Sequence, residues 1–386
     1  MKRTRVFRLL AFVALFASSF VGARAHPATG IVLDGRGQIY FSDLETIWKL
    51  DARGQLSVFR PGVGGRHVHE LAIDDAGNIY GADVSYVPAS ETWIHSVWRM
   101  TGDGQQTYLV APTDKPPRGL SIRRDRAGNT FFAEQDNNRK RETLLLRRTP
   151  AGEVSIFAGG AHGFADGKGA AARFTSIGGM TFAPDDSLYV ADGGAVRRIE
   201  SDGTVRTLAK DLSVKLPDDS TTGYGSLMGI AVGADSSVFA ADYGNRRVLK
   251  INSDGKVSRL LRVESPWSPT GVATTVDGSV YVLEIAFTPP GTYKGPRVRR
   301  IAPDGKTTTL ATIGEAGQRA EAQTSRTETQ TSRADESSPS IEEKPARATS
   351  HLALASRPTQ LIAPALLICF GVVVAGALLW RRHTSY

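Results

Sequence analysis

Six segments of the chain repeat one pattern of apolar and polar positions. Each begins with a short apolar run, passes through a turn rich in Asp, Gly, Asn or Ser, and returns as a second apolar run that contains an aromatic residue and closes on an acid. A third run, a tight turn such as SDGT or SDGK, and a fourth run follow. Short runs separated by turn residues predict β-strands joined in hairpins. The segments begin at Gly30, Glu70, Gly119, Gly179, Gly229 and Gly271.

Four antiparallel strands in each of six repeats predict an all-β fold, a six-bladed β-propeller over residues 26–313. One such sheet cannot bury both of its faces alone, so the repeats are expected to pack side by side into a closed disc. The Asp-Gly turns fit this arrangement, because tight hairpins need residues that accept a positive φ.

Two stretches carry a family resemblance. GFADGKGAAARF (residues 163–174), with the GGMTFAPDDSLYVADGGAVRRIESDGTVRTLA that follows shortly after it, resembles an NHL repeat, and MGIAVGADSSVFAADYGNRRVLKINSDGKVSRL resembles another. The resemblance covers about residues 28–313 and implies the propeller fold rather than an activity. It implies that residues 163–174 connect two blades, with Phe164 and Phe174 packed into blade grooves. A phosphate loop is disfavoured because G-x-x-x-x-G-K-[ST] is missing.

The two ends predict export and membrane anchoring. Residues 1–25 form a basic, apolar and then small-residue series, typical of a cleaved signal peptide, with an uncleaved anchor as the alternative. Residues 361–380 are uncharged and long enough to form a transmembrane helix. Arg381 and Arg382 then place residues 381–386 as a short cytoplasmic tail and the propeller outside the cytoplasm. A C-terminal sorting signal, cut after export, remains an alternative for this end.

Residues 314–360 contain no aromatic side chain and are rich in polar residues, so we expect a disordered linker. The net charge of +8 comes mainly from residues 1–25, Arg381 and Arg382, and the rest of the chain is close to neutral. A nucleic-acid partner is therefore not expected. Cys369 is the one cysteine and lies in the apolar tail, which excludes disulfides and cysteine metal sites from the propeller.

Ligands of propellers usually meet the first residues of the innermost strands. Propellers of the SMP-30/gluconolactonase type, which are distantly similar, bind a divalent metal there through Glu, Asn and Asp side chains. Here the candidate positions offer one His, one Arg and no carboxylate, and Glu70 is one residue out of register, so that site is expected to be absent. The candidate positions are Thr29, His69, Arg118, Gly178, Met228 and Thr270.

Histidines raise a second possibility, a zinc site like that of amidating-lyase propellers. His67 and His69 lie two apart on one strand and so point to one side of it. Catalytic zinc needs at least three protein ligands, and we do not expect His95 and His162 to reach the same place. The favoured interpretation is a pair of surface histidines, with no metal or other cofactor, while Ca²⁺ and Zn²⁺ stay open as alternatives.

Glu284 matches the single late glutamate of propellers that resemble strictosidine synthase. It also fills the position at which the other repeats carry an acid, so we expect a structural role in which these acids accept hydrogen bonds from the following turn. The acids of the other repeats are Asp43, Asp83, Glu134, Asp192 and Asp242.

Two segments, 84–96 and 285–296, are predicted to be long aromatic loops suited to recognition. The sequence favours an exported, membrane-anchored binding module for a protein, peptide or glycan at the cell envelope. A metal-dependent lactonase, hydrolase or lyase is the alternative, and a purely architectural surface protein is a third. The predicted ligand-binding residues are His69, Glu70, Trp93, Arg118 and Tyr293.

Overall fold

The computed structural model describes residues 28–115, 121–136, 142–214, 227–288 and 292–314. These residues form six antiparallel sheets, and in five of them the strands follow one another in chain order. The first blade contains β1 (Ile31–Leu33), β2 (Ile39–Ser42), β3 (Ile47–Leu50) and β4 (Leu56–Arg60). The second contains β5 (Arg66–Ile73), β6 (Ile79–Val87), β7 (Thr92–Met100) and β8 (Gln106–Thr113). The third contains β9 (Ile122–Arg124), β10 (Thr130–Asp136), β11 (Glu142–Arg148) and β12 (Val154–Ala161).

The fourth blade differs from the others because a fifth strand joins its outer edge. It contains β13 (Gly167–Lys168), β14 (Ile177–Phe182), β15 (Leu188–Asp192), β16 (Ala195–Ile199) and β17 (Thr204–Ala209). The fifth contains β18 (Leu227–Val232), β19 (Val238–Asp242), β20 (Arg247–Ile251) and β21 (Val257–Arg262). The sixth contains β22 (Trp267–Thr274), β23 (Val280–Thr288), β24 (Thr292–Ile301) and β25 (Thr307–Thr312). The predicted all-β six-bladed propeller is confirmed.

The innermost strands of neighbouring blades pack on one another around the ring, and β1 of the first blade also packs on β22 of the last. Both of these blades are built from consecutive strands, so within the described residues no sheet is shared between the first and last blades. Side-chain packing closes the same junction, where Phe41 and Trp48 of the first blade meet Leu283 and Val298 of the sixth. Closure therefore depends on contact between blades.

Glycines let the innermost strands approach one another closely. A Cβ on Gly229 would lie 2.6 Å from the Cα of Gly271, and a Cβ on Gly179 would lie 2.5 Å from the carbonyl oxygen of Met228. A Cβ on Gly271 would overlap the carbonyl oxygen of Thr29, at the junction of the last and first blades. Backbone atoms cannot swing aside as a flexible side chain can, so these positions are closed to larger residues.

Residues 163–174 connect the third and fourth blades, as the NHL resemblance implies. Phe174 is fully buried in the core between these blades. The expectation for Phe164 was wrong in part, because its side chain is 46% exposed and covers the guanidinium of Arg197 at 4.3 Å. That guanidinium is buried between Asp166 of the connection and Asp192 of β15, at 2.8 and 2.7 Å. The segment is thus fixed by an ion-pair cluster as well as by packing.

The two predicted loops are largely hairpins. Residues 84–96 continue β6 and β7, with a turn at 88–91, and residues 285–296 continue β23 and β24. The prediction of long loops was wrong because alternating β-branched and aromatic residues favour strand pairing over irregular structure. Within the described residues no helix is long and apolar enough to cross a membrane. The predicted signal peptide, transmembrane helix, tail and nearly all of the predicted linker lie outside them.

We expect Gly271→Ala to lower the free energy of unfolding by about 1–3 kcal/mol, because the added methyl forces the first and last blades apart. Gly35→Ala is the matched control, since its Cβ would meet nothing within 4 Å. Urea unfolding followed by circular dichroism measures both variants. Equal midpoints for the two would contradict closure through this contact.

Candidate functional site

One end of the disc, called here the upper face, is where the innermost strands begin and the second strands end. The opposite end, the lower face, carries the short turns between the first and second strands and between the third and fourth strands. The longer hairpins β6–β7 and β23–β24 extend the upper face. The predicted site residues can be placed relative to these two ends.

Strand register identifies equivalent positions in the blades. In most blades a glycine stands in the innermost strand or just before it, and we call it the axial glycine. The residue that follows it pairs with the residue two positions before the acid that closes the second strand, as in Met180↔Val190 and Ile230↔Ala240. In the second and third blades the corresponding pairs are Leu71↔Gly81 and Ile122↔Phe132. Two blades therefore replace the axial glycine by a residue with a side chain. The six equivalent residues are Gly30, Glu70, Ser121, Gly179, Gly229 and Gly271.

This register corrects the placement of Arg118. The sequence suggested that Arg118 directly precedes the axial position, because Gly119 imitates the glycines of the other repeats. Ser121 occupies that position instead, so Arg118 stands three residues before it rather than one. Arg118 itself lies outside the described residues. One sequence could not decide between the two alignments, with Gly119 or with Ser121 at the axial position, because both place apolar residues on the strand.

Glu70 and Ser121 bring side-chain chemistry to the axis. The Arg123 guanidinium lies 2.7 Å from one carboxylate oxygen of Glu70, and the hydroxyl of Ser121 donates to the other. The backbone N–H of Met180 in the fourth blade also donates to this carboxylate. Glu70 is only 3% exposed. One glutamate thus ties the second, third and fourth blades together, and we call this arrangement the axial tie.

The axial tie uses the acceptor capacity of Glu70 internally. Burial raises the pKa of Glu70 above its ordinary value, and the neighbouring Arg123 guanidinium offsets only part of that rise. The predicted ligand-binding role of Glu70 is therefore not what its contacts favour. A carboxylate that already accepts from three groups has little left with which to hold a metal or a ligand.

The histidines lie beside the axial tie, on β5. The rings of His67 and His69 are in edge contact, with centroids 5.9 Å apart, so the two side chains lie together as predicted. Both are half-buried. Within the described residues, no group of three His, Cys, Asp or Glu side chains is arranged to hold a metal ion. The residues described at the upper face therefore do not fit the metal centre of the lactonase-like propellers.

The hairpin β6–β7 carries an aromatic surface, which we call the blade 2 patch and define as His67, Val84, Tyr86, Trp93 and His95. Cross-strand pairing places His67 opposite Val84, Val84 opposite His95, and Tyr86 opposite Trp93. Directly paired residues share a face of a sheet, as do residues two apart, so all five lie on one side. The rings of Tyr86 and Trp93 are 5.1 Å apart, and Trp93 is 52% exposed.

The side of the sheet can be assigned from the core below the patch. Ala82 and Val97 continue the same alternation and pack against Ile122 and Phe132 of the third blade. The blade 2 patch therefore faces the third-blade side above the disc. Trp93, predicted as a binding residue, belongs to it, whereas Tyr293 lies on a different hairpin, opposite Phe287. His69 adjoins the patch through its contact with His67.

Among the acids that close the second strands, Asp43 and Asp242 accept hydrogen bonds from the following turn, as expected. Asp83, Asp192 and Glu284 also have structural contacts, but with other partners. Asp43 accepts from the backbone of Glu45 and Thr46 in the following turn. The sequence analysis did not predict that side chains of the third strand also donate to these acids. Asp83 accepts from Trp98 and, in a two-pronged ion pair between blades, from Arg60.

Glu284 follows the same rule. It is fully buried, Arg297 donates to it from Nε at 2.7 Å and from a second nitrogen, and Arg299 lies 3.3 Å away. Burial raises the pKa of Glu284, against the opposing effect of these arginines. A carboxylate enclosed by two guanidinium groups has no room for a substrate, which favours the structural interpretation over the catalytic one.

No protein-family model matches the chain, and no curated protein sequence matches it. Solved propellers are similar to it. A chain of a nidogen/laminin complex is 15% identical, with a TM-score of 0.51 over 72% of this chain and 93% of that one. Virginiamycin B lyase from Staphylococcus aureus is 16% identical, with a TM-score of 0.45 over 74% and 84%. A gluconolactonase from Xanthomonas campestris is 16% identical, with a TM-score of 0.46 over 66% and 83%.

The similarity to the chain of the nidogen/laminin complex, with a TM-score above 0.5, supports the β-propeller fold and nothing finer, because the identity is low. A shared fold does not imply a shared role. The function of this chain has to be argued from its own residues.

The axial tie predicts strong energetic coupling between Glu70 and Arg123. Arg123→Ala leaves the buried Glu70 carboxylate without its cation and should cost about 3–5 kcal/mol. Glu70→Ala leaves a guanidinium that is 17% exposed and should cost less, and the double variant should cost clearly less than the sum of the two. The exposed pair Lys168–Asp202, 2.8 Å apart, is the control and should show no measurable coupling. A double-mutant cycle from urea unfolding gives both values. Additive costs at Glu70 and Arg123 would rule out the tie.

Proposed function

We propose that the propeller is a binding module and that the blade 2 patch is its recognition surface. The observation that carries this proposal is the exposed Trp93, whose ring contacts that of Tyr86 at an angle of 51° on a hairpin that stands above the disc. Tryptophan and tyrosine supply most of the energy at many recognition surfaces. An aromatic pair held above a rigid scaffold is suited to that role.

The hairpin reduces the entropy cost of binding. Four residues on each strand beyond Asp83 and Ser96 are paired across β6 and β7, so the patch is ordered before a ligand arrives. Contact with Tyr86 also restrains the Trp93 ring. A preordered aromatic surface loses less conformational entropy on binding than an irregular loop does, so more of its interaction energy contributes to affinity.

The ligand class follows from the chemistry of the patch. A flat indole surface packs well against a sugar ring, a proline or an aliphatic side chain, and the half-buried His67 and His95 add polar atoms beside it. We infer a protein, peptide or glycan ligand. The signal peptide and anchor predicted from the sequence would present the propeller outside the cytoplasm, on the membrane, so the ligand belongs to the cell envelope.

The second candidate is a metal-dependent lactonase, hydrolase or lyase. The observation in its favour is the contact between His67 and His69, two imidazoles that could serve as metal ligands. Similar structures that are named as lactonases and lyases agree with this class but do not support it at their identities. Two observations oppose this class. Glu70 is engaged in the axial tie, and no third metal ligand accompanies the two histidines among the described residues.

We expect Trp93→Ala to weaken ligand binding by about tenfold or more, because it removes the exposed anchor of the patch. The wild-type full chain would be immobilised and screened against a glycan array and a random peptide library, and the recovered ligands titrated against the variants. Tyr108→Ala is the control, since Tyr108 is 46% exposed on the outer strand β8. Equal losses in both variants, or recovery of no ligand of either class, would contradict the proposal.

A further inference from the structure

The lower face contains an apolar cleft between the third and fourth blades. Phe131, Leu188 and Ile199 form its floor and are buried, and the half-buried rings of Phe157 and Phe182 form its sides. The cleft has a volume of about 150 Å³. It lies at the end of the disc opposite the blade 2 patch, so it is not part of the proposed recognition surface.

The three phenylalanines are arranged as an aromatic cage. Phe131 makes edge-to-face contacts with Phe157 and Phe182, at centroid distances of 5.1 and 5.3 Å. These contacts fix the rings at the two sides of the cleft. A cavity of roughly this volume accepts one benzene-sized group. The phenylalanine rings on the floor and sides of the cleft offer water no hydrogen bonds.

Within the described residues, one cation at the cleft, Arg147, has no carboxylate partner. Arg147 pairs with Phe131 in strand register, so it lies on the same side of the sheet, and its guanidinium is 5.7 Å from the ring of Phe157. Its Nε is buried and makes no hydrogen bond, and within the described part of the chain no carboxylate lies within ion-pair distance of it. A buried guanidinium nitrogen in this situation is costly unless an acceptor is supplied.

The acids around the cleft are already engaged. Asp125 accepts from the backbone and side chain of Asn129, at 2.8 and 2.7 Å. Asp186 pairs with Arg126 across the mouth at 3.4 Å, and Glu200 pairs with Arg198 at 3.5 Å. Among the described residues at this cleft, the charge without an ion-pair partner is therefore the positive charge of Arg147.

We propose that this cleft binds a small monocarboxylate with an aromatic or compact apolar body, of about the size of benzoate. The apolar body enters the phenylalanine cage, and the carboxylate accepts hydrogen bonds from Arg147, in the geometry that guanidinium groups favour. The carboxylates at the mouth disfavour a ligand with a second negative charge. The site is independent of the blade 2 patch.

The test uses the purified full chain and 4-fluorobenzoate, with binding followed by ¹⁹F NMR. Arg147→Gln should weaken binding by about tenfold or more, because it removes a charge-assisted hydrogen bond. Arg148→Gln is the matched control, since the next residue on β11 lies on the other side of the sheet, where its guanidinium approaches Gly152. Arg148→Gln should bind as the wild type does.

A second variant tests the cage itself. Ala127 is exposed at the mouth of the cleft, and Ala127→Trp should block binding without disturbing the core. Benzylamine, which has the same ring and the opposite charge, should bind at least tenfold more weakly than benzoate. Binding of benzylamine as strong as that of benzoate, equal affinities of the Arg147 and Arg148 variants, or no binding to the wild type would each overturn the proposal.

Discussion

The close approach of the innermost strands is the constraint on which the rest of the molecule depends. At Gly179, Gly229 and Gly271 the backbone of one blade occupies the space that a side chain would need. Because no sheet joins the first and last blades in the part of the chain that the structure describes, this contact and the packing around it hold the ring closed there. Four of the six blades have a glycine at this position, which allows close contact between strands but supplies no side chain to the axis.

The two blades that break the rule show what the axis is used for. Glu70 replaces a glycine, but its carboxylate already accepts hydrogen bonds from Ser121 and the backbone of Met180 and pairs with Arg123. The axis of this propeller is therefore built as a structural element. The proposed recognition surface lies on the hairpin above the disc, where the pairing of β6 with β7 holds Tyr86 and Trp93.

Repetition made the fold predictable. Each repeat has the same pattern of strands and turns. The apolar runs and Asp-Gly turns therefore predicted six sheets without any information on long-range contacts. Single deviations were harder. The true frame of the third blade depends on pairing of Ile122 with Phe132, and the strand β13 depends on Gly167 meeting Val205. Neither contact is encoded locally.

The candidate sites were predictable only in part, for the same reason. Trp93 was selected because an aromatic residue in a long insertion is a local signal, although the insertion was predicted to be a loop, and His67 and His69 were selected for their spacing. The phenylalanine cage joins Phe131, Phe157 and Phe182 from three separate strands, and the partners of Glu70 come from two other blades. Contacts between blades arise from closure of the ring, which no short motif reports.

The central claim is that the axis holds the blades together and that ligand recognition takes place elsewhere. The most direct test is the metal content of the purified full chain after dialysis without chelator, measured by inductively coupled plasma mass spectrometry. The account predicts far less than one equivalent of calcium or zinc per chain, with the protein still folded. About one tightly held equivalent, lost together with a change at His67, His69 or Glu70, would contradict it and establish a metal centre at the axis.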